Sequence, residues 1–206
     1  MTKQARSLPV MQSVLDAVAE RLIEGDETLI RIPEICEATG VNYGSVYHHF
    51  GSREGVIDAA YHMIFTRMMD EDLESTRRAT VDPLTFDEYL SAVIPIVTSI
   101  SSGAERRRRR AIRLRIVAAA SARVELRVLI ARSQTEASET LAGLVRYGQD
   151  RGWVRRDVDP RFLAVLFQIL LFGRVIDDIS LSPVSDELWE SSASVLFFSL
   201  LTAPED

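Results

Sequence analysis

The chain has very few cysteines and no long uninterrupted apolar segment. Its 206 residues include one cysteine, Cys36, so a disulfide within the chain is excluded and a reducing compartment is expected. No apolar segment follows Lys3 and Arg6, as it would in a secretory signal peptide. The longest apolar run, at 162–172, is broken by a glutamine and is shorter than the roughly 20 residues that a membrane helix needs. These absences predict a soluble, cytoplasmic protein with no membrane segment.

The chain also lacks the residue combinations on which catalysis usually depends. We find no spacing of nucleophile, base and acid, no glycine-rich phosphate loop and no metal-ligand spacing. His48 and His49 are adjacent, and neighbouring residues on a helix point about 100° apart, so the pair does not form a metal site by itself. We therefore expect no enzymatic activity, no cofactor and no bound metal.

Hydrophobic residues recur at helical spacing, and no segment keeps the strict alternation of a strand. Residues of about 9–24 show this spacing first, and Ser52 can cap a long helix of about 52–78. A later helix of about 84–101 contains Pro95, which is expected to kink or split it. The prediction is an all-α protein of about nine helices without internal repeats.

The most informative segment is residues 32–55, which have the pattern of two short helices joined by a tight turn. Gly40 can adopt the left-handed backbone conformation that ends a helix, and Asn42 is a favourable N-cap for the next helix. On that second helix Val46 and Phe50 lie four residues apart and face inward, which leaves hydrogen-bonding side chains on the outward face. A helix-turn-helix with such a free face is typical of proteins that insert a helix into the DNA major groove.

This segment resembles the DNA-binding region of the TetR family of transcriptional regulators. The resemblance extends over roughly residues 10–60 and implies a regulator, most often a repressor that releases a palindromic operator when a small molecule binds. The residues that carry it are Gly40, Val41, Gly44, Ser45, Val46, Tyr47, His49, Phe50, Gly51, Ser52, Arg53 and Glu54, preceded by Ile35, Cys36, Glu37 and Ala38.

Nine residues are candidates for contact with double-stranded DNA. Asn42, Tyr43 and Ser45 are expected nearest the groove floor, where they could read base edges. Tyr47 and His48 would donate hydrogen bonds to phosphates. The full set is Arg31, Asn42, Tyr43, Gly44, Ser45, Tyr47, His48, His49 and Arg53.

Several positions depart from the family pattern. Arg31 stands where many members have a threonine or serine cap, and Tyr43 replaces a common lysine. Arg53 stands where the family often has a lysine that touches phosphate, although a plain surface charge is the alternative. These departures leave the operator sequence beyond inference.

We expect a DNA-binding domain at 1–55 and an effector-binding and dimerisation domain at 56–206, joined by the connecting helix of about 52–78. The resemblance implies a two-fold homodimer, and two helix-turn-helix units are needed to reach successive major grooves. An activating or chromosome-organising DNA-binding protein without an effector stays open as the alternative.

Two sets of apolar residues are candidates for the remaining partners. For an unknown small-molecule effector they are Phe86, Tyr89, Leu90, Val93, Val97, Leu114, Val117, Phe167 and Phe172. For the interface of the homodimer they are Leu163, Leu166, Phe167, Leu170, Leu171, Val195, Leu196 and Phe198. Plain core packing is the alternative for both sets.

Charge is unevenly distributed along the chain. Residues 1–60 hold five basic and nine acidic residues, so weak non-specific binding to DNA is expected. Residues 104–156 hold fourteen basic and five acidic residues, among them the run Arg106–Arg110. Three interpretations of this run are open: pairing with acids such as those at 70–72, an additional contact with phosphate, or attraction of an anionic effector.

Overall fold

The computed structural model describes residues 3–25, 27–79, 85–98 and 103–201, with side chains at 10–25, 27–74, 85–91, 93–94 and 103–199. Within these ranges there is no strand; nine helices have eight residues or more, and one has a single turn. The prediction of an all-α protein of about nine helices is confirmed. The helices are α1 Lys3–Glu24, α2 Ile32–Thr39, α3 Tyr43–Phe50, α4 Arg53–Ala79, α5 Phe86–Thr98, α6 Ala104–Ala122, α7 Val124–Asp150, α8 Pro160–Gly173, α9 Val175–Asp178 and α10 Asp186–Leu201, with a 3-10 turn at Glu27–Leu29.

Most helices begin and end where local chemistry favours it. Asp159 caps α8 by accepting a hydrogen bond from the N–H of Phe162 at 2.8 Å. Thr85 and Glu88 form a reciprocal capping box at the start of α5. The expected split at Pro95 is wrong, because α5 runs without interruption through this residue to Thr98. A proline removes one backbone hydrogen bond from a helix, which the surrounding turns can tolerate.

One compact unit comprises Met1–Arg67 and Ile116–Ile130. Its apolar core forms because α1, α2, α3 and the first part of α4 each place one hydrophobic face inward. The buried residues include Val14, Val18, Leu22, Ile35, Val46, Val56, Ile57, Ala60, Ile64, Ile116 and Leu126. This unit contains the helix-turn-helix.

The second compact unit comprises Met68–Arg115 and Ala131–Asp206. Inside it α5 packs against α10. Its core contains Leu73, Tyr89, Val93, Ala137, Leu141, Ala142, Leu144, Val145, Val154, Leu163, Ala164, Phe167 and Phe197. Three helices, α4, α6 and α7, have residues in both units, so the division by packing differs from a simple cut along the sequence.

Candidate nucleic-acid interface

The turn between α2 and α3 is built by two residues with special backbone roles. Gly40 has φ 69° and ψ 14°, the left-handed conformation that ends a helix at low steric cost in glycine. The side chain of Asn42 accepts a hydrogen bond from the N–H of Gly44 at 2.8 Å and so caps α3. Ile35, Val41 and Val46 are buried on the two sides of the turn. Backbone geometry and core packing together fix the direction in which α3 leaves the turn.

The outward face of α3 is open to solvent and is not covered by any residue that the structure describes. Tyr43 is 47% exposed, and Ser45, His48 and His49 are also exposed. Asn42 and Gly44 extend this surface at the start of the helix, whereas Tyr47 is half-buried at its boundary. The face therefore presents an amide, hydroxyls and imidazoles to solvent, as contact with DNA requires.

Two tyrosines on this face contact one another through their rings. The rings of Tyr43 and Tyr47 lie one helical turn apart, with centroids separated by 4.5 Å. The pKa of Tyr47 is raised, first by its hydrogen bond with Tyr43 and then by desolvation. Both effects favour the neutral phenol, which can donate a hydrogen bond to a phosphate oxygen.

The two candidate arginines hold the turn that precedes α2. Arg31 is exposed and donates from Nη1 to the carbonyl of Thr28 at 2.7 Å. Arg53, whose side chain is 31% exposed, donates from Nε to the carbonyl of Ile30 at 3.1 Å and from Nη2 to that of Glu27. Neither contact was visible in the sequence, where both residues read only as charges near a helix start. These hydrogen bonds show that both guanidinium groups stabilise the backbone of the turn within the candidate interface.

A further arginine reaches the same turn from a distant part of the sequence. Arg123, between α6 and α7, donates to Glu27 at 2.6 Å and to Asp58 at 2.8 Å. Sequence reasoning missed this residue because its partners lie 65 and 96 positions away, and no local pattern links them.

The arginine run in α6 is largely neutralised within its own unit. Arg106 and Arg109 contact Asp72 at 2.9 and 3.0 Å, and Arg113 pairs with the same carboxylate. Arg109 also pairs with Glu71. These contacts support the first of the three interpretations, in which the run pairs with the acids at 70–72.

Arg110 faces a different partner from its neighbours in the run. It donates to both carboxylate oxygens of Asp178 at 2.7 Å, and its side chain is only 5% exposed. A bidentate pair of this kind fixes geometry as well as charge. Arg110 is therefore occupied within the fold.

The candidate effector residues do not all come together. Tyr89, Val93 and Phe167 are buried in the core of the second unit, and Leu90 packs against it. In contrast, Phe86, Leu114 and Val117 are 43%, 44% and 43% exposed. Phe172 is half-buried, and the side chain of Val97 lies outside the described residues.

A cavity of about 370 Å³ lies between α8 and α10. Its walls are almost entirely apolar, apart from Ser192 and the ring nitrogen of Trp189. Among the effector candidates whose side chains are described, Phe167 alone lines it. The lining residues are Phe167, Leu170, Leu171, Val184, Leu188, Trp189, Ser192, Ala193, Leu196 and Phe197.

The candidate dimer residues divide between two faces of α8 and α10. Leu163 and Phe167 are buried in the core of their own unit, whereas Val195 and Leu196 are 72% and 48% exposed. Leu166, Leu170, Leu171 and Phe198 are half-buried. Sequence reasoning missed exposed apolar neighbours on the same helices, because both faces are hydrophobic and periodicity does not separate them. These are Phe162, Val165, Ile169 and Leu188.

The described residues contain neither a metal-binding cluster nor a membrane-spanning helix. No group of three or more His, Cys, Asp or Glu side chains there is arranged to hold a metal ion. No helix in the same part of the chain is long and apolar enough to cross a membrane.

Comparison with known proteins finds a family match for the segment that contains α3. The family model "Bacterial regulatory proteins, tetR family" matches residues 15–60, which include α2, the turn and α3. The HTH-type transcriptional regulator UidR of Escherichia coli (strain K12) is 23% identical over 185 residues, which are 89% of this chain and 88% of UidR. Residues 15–60 of this chain therefore match the DNA-binding region of the TetR family. The relatives found by these comparisons are transcriptional regulators rather than enzymes, and the helix-turn-helix of this chain is of their DNA-binding type.

Solved structures share the TetR-family fold over nearly the whole chain. Salmonella enterica GusR has a TM-score of 0.66 at 21% identity and covers 94% of this chain and 96% of its own. A TetR-family regulator from Mesorhizobium loti MAFF303099 has a TM-score of 0.74 at 16% identity, covering 98% and 100%. A regulator from Saccharomonospora viridis, solved in complex with choline, has a TM-score of 0.66 at 17% identity, covering 98% and 100%. At these identities the structures establish the fold alone.

Proposed function

We propose that this chain is a repressor of the TetR type that binds a palindromic operator as a homodimer and releases it when a small molecule binds. The observation that carries the DNA-binding part is the open polar face of α3, supported by a glycine turn and an Asn42 cap. Asn42, Tyr43, Gly44 and Ser45 face the base edges in this proposal. The phosphate backbone is contacted in this proposal by Tyr47, His48 and His49. It is also approached by Arg31 and Arg53, which hold the turn before α2. Because DNA is the target, we place the protein in the cytoplasm.

The proposed dimer interface is the exposed apolar face of α8 and α10. Phe162 and Ile169 are each 59% exposed, and Val195 is 72% exposed. Large exposed apolar residues that recur along two helices favour an interaction site over plain solvent exposure. In an isologous dimer, α8 and α10 of one subunit would pack against the same two helices of the other and cover this apolar face. Side chains of the second subunit would then fill the cavity between α8 and α10.

The proposed effector site lies in the second unit, where Tyr89, Leu90, Val93 and Phe167 converge. The structural neighbour from Saccharomonospora viridis binds choline, which supports a small organic ligand as the class of effector. An effector releases DNA only if it binds the released conformation more tightly, with a coupling of typically about 1–3 kcal/mol. The domains at 1–55 and 56–206 retain their proposed roles in DNA contact and in effector binding and dimerisation.

Replacing Tyr43 or Ser45 by alanine tests the role of α3. Each variant is expected to bind a duplex selected from a random library by the wild-type protein roughly 5- to 150-fold more weakly, the range for one lost base contact of about 1–3 kcal/mol. Fluorescence anisotropy at fixed salt measures this. The matched control is Ser121→Ala, since Ser121 is an exposed serine that bonds the carbonyl of Ala118 in its own helix. Wild-type affinity in both α3 variants would contradict the proposed function.

A further inference from the structure

The turn at 27–30 sets the position from which α2 begins. It joins α1 to the helix-turn-helix and includes the 3-10 turn Glu27–Leu29. Arg31 and Arg53 each donate hydrogen bonds to its backbone carbonyls. Both arginines lie within residues 15–60, the segment that the family model matches. These contacts therefore hold the turn from within the DNA-binding region.

Arg123 holds the same turn from outside that segment. It is the single residue between the end of α6 at Ala122 and the start of α7 at Val124. Its Nη2 donates to Oε2 of Glu27 at 2.6 Å, and its Nη1 donates to Oδ1 of Asp58 on α4 at 2.8 Å. One guanidinium group therefore ties the α6–α7 corner to the turn before α2 and to the first turns of α4.

The surroundings of Arg123 make these contacts strong. Its side chain is 22% exposed and that of Asp58 is 11% exposed, so water screens the pair only partly. Burial raises the pKa of Asp58, while the adjacent Arg123 opposes that rise. The ring of Tyr61 lies 5.6 Å from the guanidinium carbon and adds a cation–π contact. The ionised Asp58 therefore depends on Arg123 for compensation.

We propose that Arg123 is a positioning residue that sets the orientation of the helix-turn-helix through Glu27 and Asp58. This inference rests on the proposed function and names the contact by which movement of α6 or α7 changes DNA affinity. A shift of either helix displaces the corner that carries Arg123. The guanidinium then either pulls the turn at 27–30 with it or releases Glu27, and α2 and α3 change position in both cases.

The test compares Arg123→Gln with Arg127→Gln in the full-length dimer. Arg127 is an exposed arginine one helical turn further along α7 and serves as the matched control. We expect Arg123→Gln to bind the selected duplex about tenfold more weakly, within the 5- to 150-fold range of known allosteric couplings. The slope of log affinity against log salt should stay at the wild-type value, because Arg123 positions the head and neutralises no phosphate. A reduced slope would instead make Arg123 a phosphate contact and overturn the proposal.

The double variant Arg123→Gln with Asp58→Asn separates positioning from stability. It removes the uncompensated carboxylate, so its thermal midpoint should recover toward that of the wild type while DNA binding stays about tenfold weak. Recovery of both quantities would reduce Arg123 to a stabilising residue and overturn the proposal, as would wild-type affinity in Arg123→Gln itself. If the wild-type protein and Arg127→Gln also fail to bind any selected duplex, the proposed function fails rather than this inference alone.

Discussion

Replacing Asp72 by alanine is expected to destabilise the protein by about 3–5 kcal/mol, the usual result of removing one member of a buried ion cluster. The Asp72 side chain is 8% exposed and accepts from Arg106, Arg109 and Arg113. Without it, three guanidinium groups lie close together with no shared carboxylate. Burial already lowers the pKa of Arg113, and Asp72 is the first influence that raises it again. Urea unfolding followed by circular dichroism measures the loss.

Glu71→Ala provides the matched control for this prediction. Glu71 precedes Asp72 and pairs with Arg109, but its side chain is 64% exposed. An exposed ion pair contributes about 0–1 kcal/mol, so this variant should unfold near the wild-type midpoint. If Asp72→Ala does not fold, adding Arg113→Met should restore part of the stability, because it removes a buried charge. Equal losses in Asp72→Ala and Glu71→Ala would contradict the cluster's role.

Replacing Gly55 by alanine is expected to misplace α3 and weaken operator binding more than tenfold. A Cβ atom at this position would lie 2.1 Å from the carbonyl oxygen of Phe50, which is the last residue of α3. That atom belongs to the backbone, so the clash can be relieved only by moving the corner between α3 and α4. Overpacking of this kind costs about 1–3 kcal/mol in stability. Anisotropy with the selected duplex and thermal unfolding measure the two effects.

Gly143→Ala is the control for the same substitution without a clash. Gly143 lies inside α7, and a Cβ atom there would have no neighbour within 4 Å. Alanine is favoured over glycine in a helix by about 0.5–1 kcal/mol, so this variant should be slightly more stable and bind DNA normally. The account of the α3–α4 corner is wrong if Gly55→Ala binds DNA as Gly143→Ala does.

The helix-turn-helix could be predicted because its determinants are local. Gly40, Asn42 and the pair Val46 and Phe50 lie within eleven residues, and each has one dominant structural role. The structure places them as expected, with Gly40 at positive φ and Asn42 as a cap. Periodicity likewise identified the long helices, since each has at least one hydrophobic face.

Long-range ion pairs could not be predicted from the sequence in the same way. Acids near 70–72 could be suggested as partners of the arginine run, but the convergence of three arginines on Asp72 depends on helix packing. Arg123 and Glu27 are 96 positions apart and carry no shared pattern. The two apolar faces of α8 posed a related problem, because Leu163 enters the core while Phe162, one residue earlier, is 59% exposed.

Hydroxyl-radical footprinting of the wild-type protein on its selected duplex tests the central claim most directly. The account predicts two protected patches related by two-fold symmetry on one face of the duplex, with centres one helical turn or a multiple of about 10 base pairs apart. Both patches should fade together in Tyr43→Ala, since each is made by one copy of α3. A single patch, or unchanged protection in that variant, would contradict a symmetric pair of α3 helices as the DNA-reading surface.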